Sequence, residues 1–406
     1  MLSSYVQRSL EPVLRRASGE FPAVVLTGPR QSGKTTLLKH LFGVSHEYVA
    51  LDLPDIRAAA AADPRGFLAM HKPPVIFDEI QYTLMLLPYI REQIDQRRSE
   101  HGMFLLTGSQ NLALAEQVTE TLAGRTAMLQ LMPMTQRESV GIPDLPLPWE
   151  TDEPHQLPAV AHLDLWRTFL RGNYPEVVTE PDRDWSLWHA AYLQTYIERD
   201  VRSLRQIGDL TQFQAFIKAL AARCGQLLNL TELARDIGIA ANTAKQWLSV
   251  LEATFQVIIL RPYFVNVGKR LVKRPKVYFA DTGTLCYIAG LKDPQHAAYG
   301  PMGGAIFENA VVAEIYKTLM HRGDLPQVYF WRTSHGEEVD IIVESAGRLV
   351  PIEVKHTGTP LPRMAAGIKI LFKDFGDQIE RGFVVHTGDI RLPLAPHVTA
   401  IPFTDL

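Results

Sequence analysis

Gly28-Pro29-Arg30-Gln31-Ser32-Gly33-Lys34-Thr35 reads G-x-x-x-x-G-K-T, the spacing of a phosphate-binding loop. Its glycines let the backbone turn tightly, so that successive N–H groups point inward at phosphate oxygens. Lys34 supplies a point charge for the β- and γ-phosphates, and the Thr35 hydroxyl is placed to ligate Mg²⁺. The flanks agree with this reading. Ala23-Val24-Val25-Leu26 is an apolar run that reads as a buried strand, and Thr35-Thr36-Leu37-Leu38-Lys39-His40-Leu41 reads as the helix whose N-terminus faces the anion. ATP and Mg²⁺ are the cofactors implied, with residues 28–35, Thr36 and Asp78 as the nucleotide-binding set.

Asp78 enters through a second signal, Pro74-Val75-Ile76-Phe77-Asp78-Glu79. A buried strand delivers Asp78 to the Mg²⁺ shell, and Glu79 then stands where a carboxylate polarises the attacking water. The competing reading is a core strand followed by a solvated acidic turn. Asp78 lies 44 residues after Lys34, with another strand-like segment between them, and this favours the site. Phe104-Leu105-Leu106-Thr107-Gly108-Ser109 is a further buried strand. Its end should lie beside the γ-phosphate, where Ser109, with Thr107 as the alternative, senses phosphate or positions water; an ordinary strand-to-helix turn with Ser109 as N-cap competes. Arg125, in Leu122-Ala123-Gly124-Arg125, is a candidate arginine finger within the subunit or across the interface of a homo-oligomer. A solvated or acid-paired arginine is the alternative.

The chain has 406 residues, enough for two to four domains, and 46% hydrophobic residues supply several cores. Its 41 basic and 44 acidic residues exclude a globally basic nucleic-acid binder, though not a local patch. Two cysteines, Cys224 and Cys286, form neither a disulfide framework nor a zinc site. The N-terminus has no signal-peptide core, and no 18-residue uncharged apolar stretch occurs. These features lead to the expectation of a soluble cytoplasmic protein without a membrane partner.

Five prolines between 143 and 158 mark a linker. A helical pattern follows to residue 205, whose aromatic residues Trp166, Phe169, Trp185, Trp188 and Tyr192 read as core. Residues 226 to 260 suggest a winged helix, with Thr231 capping one helix, Gly238 making the turn, and Asn242 or Thr243 capping a second. The second helix would present Asn242, Thr243, Lys245, Gln246 and Trp247 to a DNA groove or to a protein, and both readings stay open. Behind it, Lys269-Arg270-Leu271-Val272-Lys273-Arg274-Pro275-Lys276 is the best phosphate-contacting patch in the chain, against the alternative of a solvated turn. Lys245, Lys269, Arg270, Lys273 and Arg274 are the candidate DNA contacts.

Near the C-terminus, Glu308 lies in a helical stretch. A strand begins near Asp340, a turn falls at Ala346-Gly347-Arg348, and Leu349 to Lys355 forms the adjacent strand. Glu353 and Lys355 share one face of that strand, and Asp340 stands across from them. Glu308, Asp340 and Glu353 holding a metal, with Lys355 at its edge orienting or deprotonating water, suit a Mg²⁺-dependent phosphodiesterase. A hairpin with exposed Glu–Lys pairing competes.

Over nearly its whole length the chain resembles bacterial and archaeal AAA-type ATPases whose C-terminal half is related to restriction-endonuclease-like, PD-(D/E)XK, folds. The resemblance rests on residues 28–35, Phe77-Asp78-Glu79-Ile80-Gln81, Leu106-Thr107-Gly108-Ser109, Leu122-Ala123-Gly124-Arg125 and Gly172-Asn173-Tyr174-Pro175-Glu176. It continues in residues 275–283, Trp331-Arg332, Glu338-Val339-Asp340 and Ile352-Glu353-Val354-Lys355. Val339 stands where the name-giving motif has proline, a residue that does no chemistry. The resemblance implies an α/β protein with an AAA-type core (1–140), a linker and helical region (141–205), a winged-helix-like domain (206–265) and a nuclease-like domain (266–406). It implies no settled substrate. A DNA-associated ATPase is the leading expectation, and a regulatory ATPase whose C-terminal domain binds protein and cuts nothing is the alternative.

Overall fold

Ala23 to Gly28 form strand β1, buried at every position, and burial on both faces places it at the centre of a parallel sheet. The computed structural model describes residues 5–109, 117–118, 120–151, 160–196, 209–263, 274–333 and 336–406. Its first sheet joins β1 to β2 (Glu47–Ala50), β3 (Val75–Asp78), β4 (Phe104–Ser109) and β5 (Thr126–Gln130) in the order β2-β3-β4-β1-β5. Every pairing in it is parallel. Alternate side chains then serve opposite faces. Val24 and Leu26 pack with Leu10, just ahead of helix α1 (Glu11–Glu20), with Leu14 of α1, and with Leu37 and Leu38 of α2 (Lys34–Phe42). Ala23 and Val25 share the opposite core with Ile90 and Ile94 of α3 (Leu87–Gln96). β1 has β4 on one side and β5 on the other, so the loop after it opens at a switch point of the sheet, where ligands of such folds bind.

The second sheet has eight strands in the order β12-β13-β11-β10-β9-β8-β6-β7. They are β6 (Val257–Pro262), β7 (Lys276–Phe279), β8 (Val328–Arg332), β9 (Glu338–Ser345), β10 (Arg348–Lys355), β11 (Gly382–His386), β12 (Leu392–Ala395) and β13 (Val398–Pro402). β9 and β10 form an antiparallel hairpin. Ala346 (φ 49°) and Gly347 (φ 76°) are both left-handed, as a two-residue hairpin turn requires. Directly ahead of β6 in the chain run α4 (Leu210–Ala221), α5 (Leu230–Ile237) and α6 (Ala241–Ala253). β6 pairs antiparallel with β7, and Leu227, ahead of α5, bridges to Lys276. The 19-residue helix α7 (Gly303–His321) is buried along most of its length. Among the described residues no helix is long and apolar enough to cross a membrane, and both cysteines are free and buried.

Several expectations require correction. The boundary at 265/266 falls between β6 and β7, which pair with each other and so belong to one ladder. In the linker and helical region 141–205, Trp166 and Phe169 share one apolar core with Phe307, Ile352 and Phe403. Asn229, not Thr231, caps α5 through the Glu232 N–H at 3.3 Å. α6 starts after Ala240 without a side-chain cap, so neither Asn242 nor Thr243 plays that part. Trp247 is not presented to a partner. It is 2% exposed and packs edge-on against Phe213 and Phe216. Lys245 is exposed, as is Arg274, while Lys269, Arg270 and Lys273 lie outside the described residues.

Candidate functional site

The loop after β1 depends on backbone freedom. A side chain at Gly28 (φ 149°) would place its Cβ 2.1 Å from the Leu131 carbonyl oxygen, and Gly33 enters α2 in the left-handed region (φ 95°). Lys34 is buried and folds back on its own loop, where its Nζ donates to the carbonyls of Gly28 (3.0 Å) and Pro29 (2.8 Å). Ser32 Oγ is buried without a partner among the described residues. The Thr35 hydroxyl lies 2.9 Å from Asp78 Oδ1. Tyr48 donates to Asp78 Oδ2 at 2.8 Å, and the Thr107 hydroxyl donates to Oδ1. Burial and then Asp78 push the Tyr48 phenol up, so it remains a donor.

This arrangement fits a nucleotide with Mg²⁺. Thr35 and Asp78 offer the hard oxygen ligands that ion takes, and Ser32 Oγ and the Lys34 ammonium can turn to phosphate oxygens. The adjoining cavity is about 390 Å³, within the range of small-ligand sites. It is lined by Gln31, Gly33 to Thr36 and Glu79, and roofed by Tyr5, Arg8, Pro175 and Glu176.

Glu79 is left-handed (φ 59°), unusual for a residue with a side chain. Thr107 Oγ1 accepts its N–H at 3.1 Å. Its carboxylate accepts from the Gln81 amide and, at 3.4 Å, from the Ser109 N–H. Gln81 also donates to Ser109 Oγ at 3.1 Å. Ser109 pairs with Gly28 across β4 and β1, beside the phosphate loop where the strand pattern put it.

Arg125 is elsewhere. Its guanidinium forms a two-pronged pair with Asp95 of α3 at 2.9 and 3.1 Å. It immediately precedes β5, whose first residue pairs with Ala23, so it sits at the end of the sheet opposite Gly28. Five strand residues at about 3.3 Å each put it roughly 16 Å from the phosphate loop. Within the subunit it is acid-paired and not an arginine finger, because strand register, invisible in the motif, decides which end it occupies.

The sequence reading missed the clamp around this loop. Buried Arg8 donates to the carbonyls of Ser32 and Met132, both at 2.8 Å, and its Nε lies 3.2 Å from Glu138 Oε1. His321, at the end of α7, accepts the Met132 N–H at Nε2 (3.0 Å) and places Nδ1 3.2 Å from Glu138. Lys317 donates to the Met134 carbonyl at 2.6 Å, and Glu314 accepts the Gln136 N–H at 2.7 Å. α7 thus grips the segment after β5, which in turn holds the phosphate loop through Arg8.

Burial alone would raise the Glu138 carboxyl, but Arg8 first holds it well below its ordinary value. Burial lowers His321, in keeping with an Nε2 that accepts. Both shifts act in one direction. The depressed carboxyl contributes stability above about pH 4.5 that is lost as pH falls towards its folded value, and the unfolded chain protonates His321 below about pH 6.5 while the fold resists. Melting temperature should therefore fall from pH 7 to pH 4. Glu138→Gln, which leaves Arg8 without its buried partner, should cost about 3–5 kcal/mol at neutral pH and flatten the limb below pH 4.5. An unchanged melting curve would make the clamp dispensable.

The C-terminal residues also converge. Glu308 on α7, Asp340 on β9 and Glu353 and Lys355 on β10 line one cavity with Lys276, Glu338 and Arg332. Lys355 Nζ lies 2.6 Å from Glu353 Oε2 and 3.3 Å from Asp340 Oδ2, and Asp340 Oδ2 also accepts the Val354 N–H at 2.8 Å. Glu308 accepts from Tyr278 (2.5 Å) and Lys276 (3.1 Å). Burial, then Asp340, pushes the Glu353 carboxyl up to about 8. The expected metal triad needs correction. Lys355 sits between Asp340 and Glu353 and not at an edge, and among the described residues no three acidic, His or Cys side chains stand together to hold one metal. Lys276, Tyr278 and Glu338 were missed. Lys276 and Tyr278 differ by two on β7 and share a face, a signal that the basic run around them obscured.

Residues 20–140 match the model of an AAA domain, the stretch that carries the phosphate loop, Asp78 and Glu79. Residues 162–295 and 303–406 match models of two domains of unknown function. Uncharacterized proteins of Mycobacterium tuberculosis and Mycobacterium bovis are each 33% identical over 392 residues, a stretch covering 96% of this chain and 82% of theirs. Among solved structures, the Walker-type ATPase of Pyrococcus abyssi is 16% identical and aligns over 71% of this chain and 99% of its own, with a TM-score of 0.45.

Proposed function

The chain belongs to the family of these uncharacterized mycobacterial proteins and carries an AAA domain, and from that premise we propose that it binds and hydrolyses ATP and acts on DNA through a winged-helix unit and a nuclease-like C-terminal domain. The observation that carries the ATPase reading is the Thr35–Asp78 pair at 2.9 Å with Glu79 on the wall of the same cavity. Lys34 and Ser32 take the phosphates, and Glu79, with Ser109 beside it, orients the attacking water. Thr35 and Asp78 would hold the Mg²⁺, which would supply charge neutralisation for the phosphates.

The winged-helix reading is supported by α4 to α6 followed by the antiparallel β6–β7 pair, with Leu227 bridged to β7. α7 supports the idea that ATP state biases the C-terminal half, since it carries Glu308 near one end and the His321 contact to the phosphate-loop clamp at the other. Duplex DNA should stimulate ATP turnover. Charge reversal at Lys269, Arg270, Lys273 and Arg274 should weaken DNA binding and reduce the slope of log K against log salt by roughly 0.9 for each phosphate no longer neutralised. An unaltered slope with unstimulated turnover would count against DNA. One observation favours the regulatory alternative, in which the C-terminal domain binds without cutting: ammonium groups stand inside its carboxylate cluster.

A further inference from the structure

Lys276 emerges from β7 into the C-terminal cavity with its side chain only 5% exposed. Its Nζ lies 3.1 Å from Glu308 Oε1 and 2.6 Å from Glu338 Oε1. Glu338 Oε2 is held from outside by Arg332 at 3.0 Å. On the other side of the cavity, Lys355 spans Asp340 and Glu353. Each carboxylate that a divalent ion would need is thus already an ammonium's partner. Magnesium demands a near-octahedral oxygen shell at about 2.0–2.1 Å, and a resident positive charge at hydrogen-bond distance from the same oxygens repels it. A nuclease-like fold implies such an ion, and these residues do not fit one.

We propose that Lys276 is the resident cation of this cluster, holding between α7 and β9 the place that a divalent ion takes in a metal-dependent nuclease, so that the site is assembled without metal. Two features suit the side chain to that part. Burial would discharge an isolated ammonium, but Glu308, Asp340 and Glu338 together outweigh it and keep Lys276 charged. The hydroxyl of Tyr278, two residues along on the same face, completes the donors to Glu308. The cluster then works as an ion-pair clamp joining α7 to the β-sheet.

The inference rests on reading this domain as nuclease-like, and counting metal ions tests it apart from any DNA activity. Mn²⁺ binding to the full chain without nucleotide would be measured by electron paramagnetic resonance and calorimetry. Wild type and Asp340→Asn should bind the same number of ions. Lys276→Met, which frees Glu308 and Glu338, should gain one Mn²⁺ per chain, and Lys276→Met/Glu308→Gln should lose it again. A Mn²⁺ that disappears from the wild type on Asp340→Asn would overturn the proposal, as would a folded Lys276→Met that gains none. If Lys276→Met does not fold, the comparison of wild type with Asp340→Asn still decides. Failure of the protein to bind or cleave DNA would count against the DNA reading and leave the metal count unchanged.

Discussion

Lys34→Ala abolishes ATP binding at working nucleotide concentrations while leaving the fold in place. The Lys34 ammonium is buried, and it donates to two carbonyls of its own loop. Exchanging those neutral acceptors for phosphate oxygens yields charge-assisted bonds, and no other described residue lining this cavity is a lysine. Two such bonds at about 1.5–3 kcal/mol each correspond to roughly 10²–10⁴-fold in Kd. Loss of the ammonium also leaves the Gly28 and Pro29 carbonyls facing the phosphate without a cation between them. Equilibrium binding of a fluorescent ATP analogue, with circular dichroism to establish folding, measures the effect. A folded variant that binds within about threefold of wild type would move the phosphate site away from this loop.

Glu79→Gln keeps nucleotide binding and lowers turnover by about 10²–10⁴-fold, the contribution typical of a positioned general base. The amide preserves the shape of the side chain but cannot accept a proton from water. Binding is spared because Glu79 makes no contact with Lys34, Thr35 or Asp78 among its hydrogen bonds. Its carboxylate is aimed by Gln81 and the Ser109 N–H, so Gln81→Ala should slow turnover less than Glu79→Gln does, by loosening the aim of a base that is still present. Single-turnover hydrolysis separates chemistry from product release. Unchanged turnover in Glu79→Gln would assign the base to another residue.

The two halves of the molecule are joined at named contacts and not only by chain connectivity. Asn173 donates its N–H to Asp281 at 2.7 Å, so the segment that places Pro175 and Glu176 over the phosphate cavity is tied to the turn after β7. β7 carries Lys276. The clamp from Ser32 through Arg8 to His321 runs in parallel to α7 and Glu308. A change at the phosphate loop therefore has two short routes to the carboxylate cluster.

Residues 28–35, Asp78, Glu79 and Ser109 were legible in the sequence because each belongs to a short run whose conformation is set locally. A buried strand, a glycine-permitted turn and a helix N-terminus together place a phosphate site within about a dozen residues. The convergence of Asp340 with Glu353 and Lys355 was legible for a similar reason, since two alternating strands joined by a tight turn fix their own facing residues. Tertiary structure alone decided the rest. Arg125 belongs to a familiar run, yet the register of β5 on β1 carries it to the far end of the sheet and into the grasp of Asp95. Trp247 sits on a helix whose outward face is set by what α4 packs against it. Lys276 reads as one more charge in a basic run until β7 pairs with β6 and turns its side chain towards Glu308, 32 residues on, and Glu338, 62 residues on. Local sequence determines what a segment can be. Which buried charges meet is settled by packing, because a charge taken out of water must find its partner wherever the fold brings one.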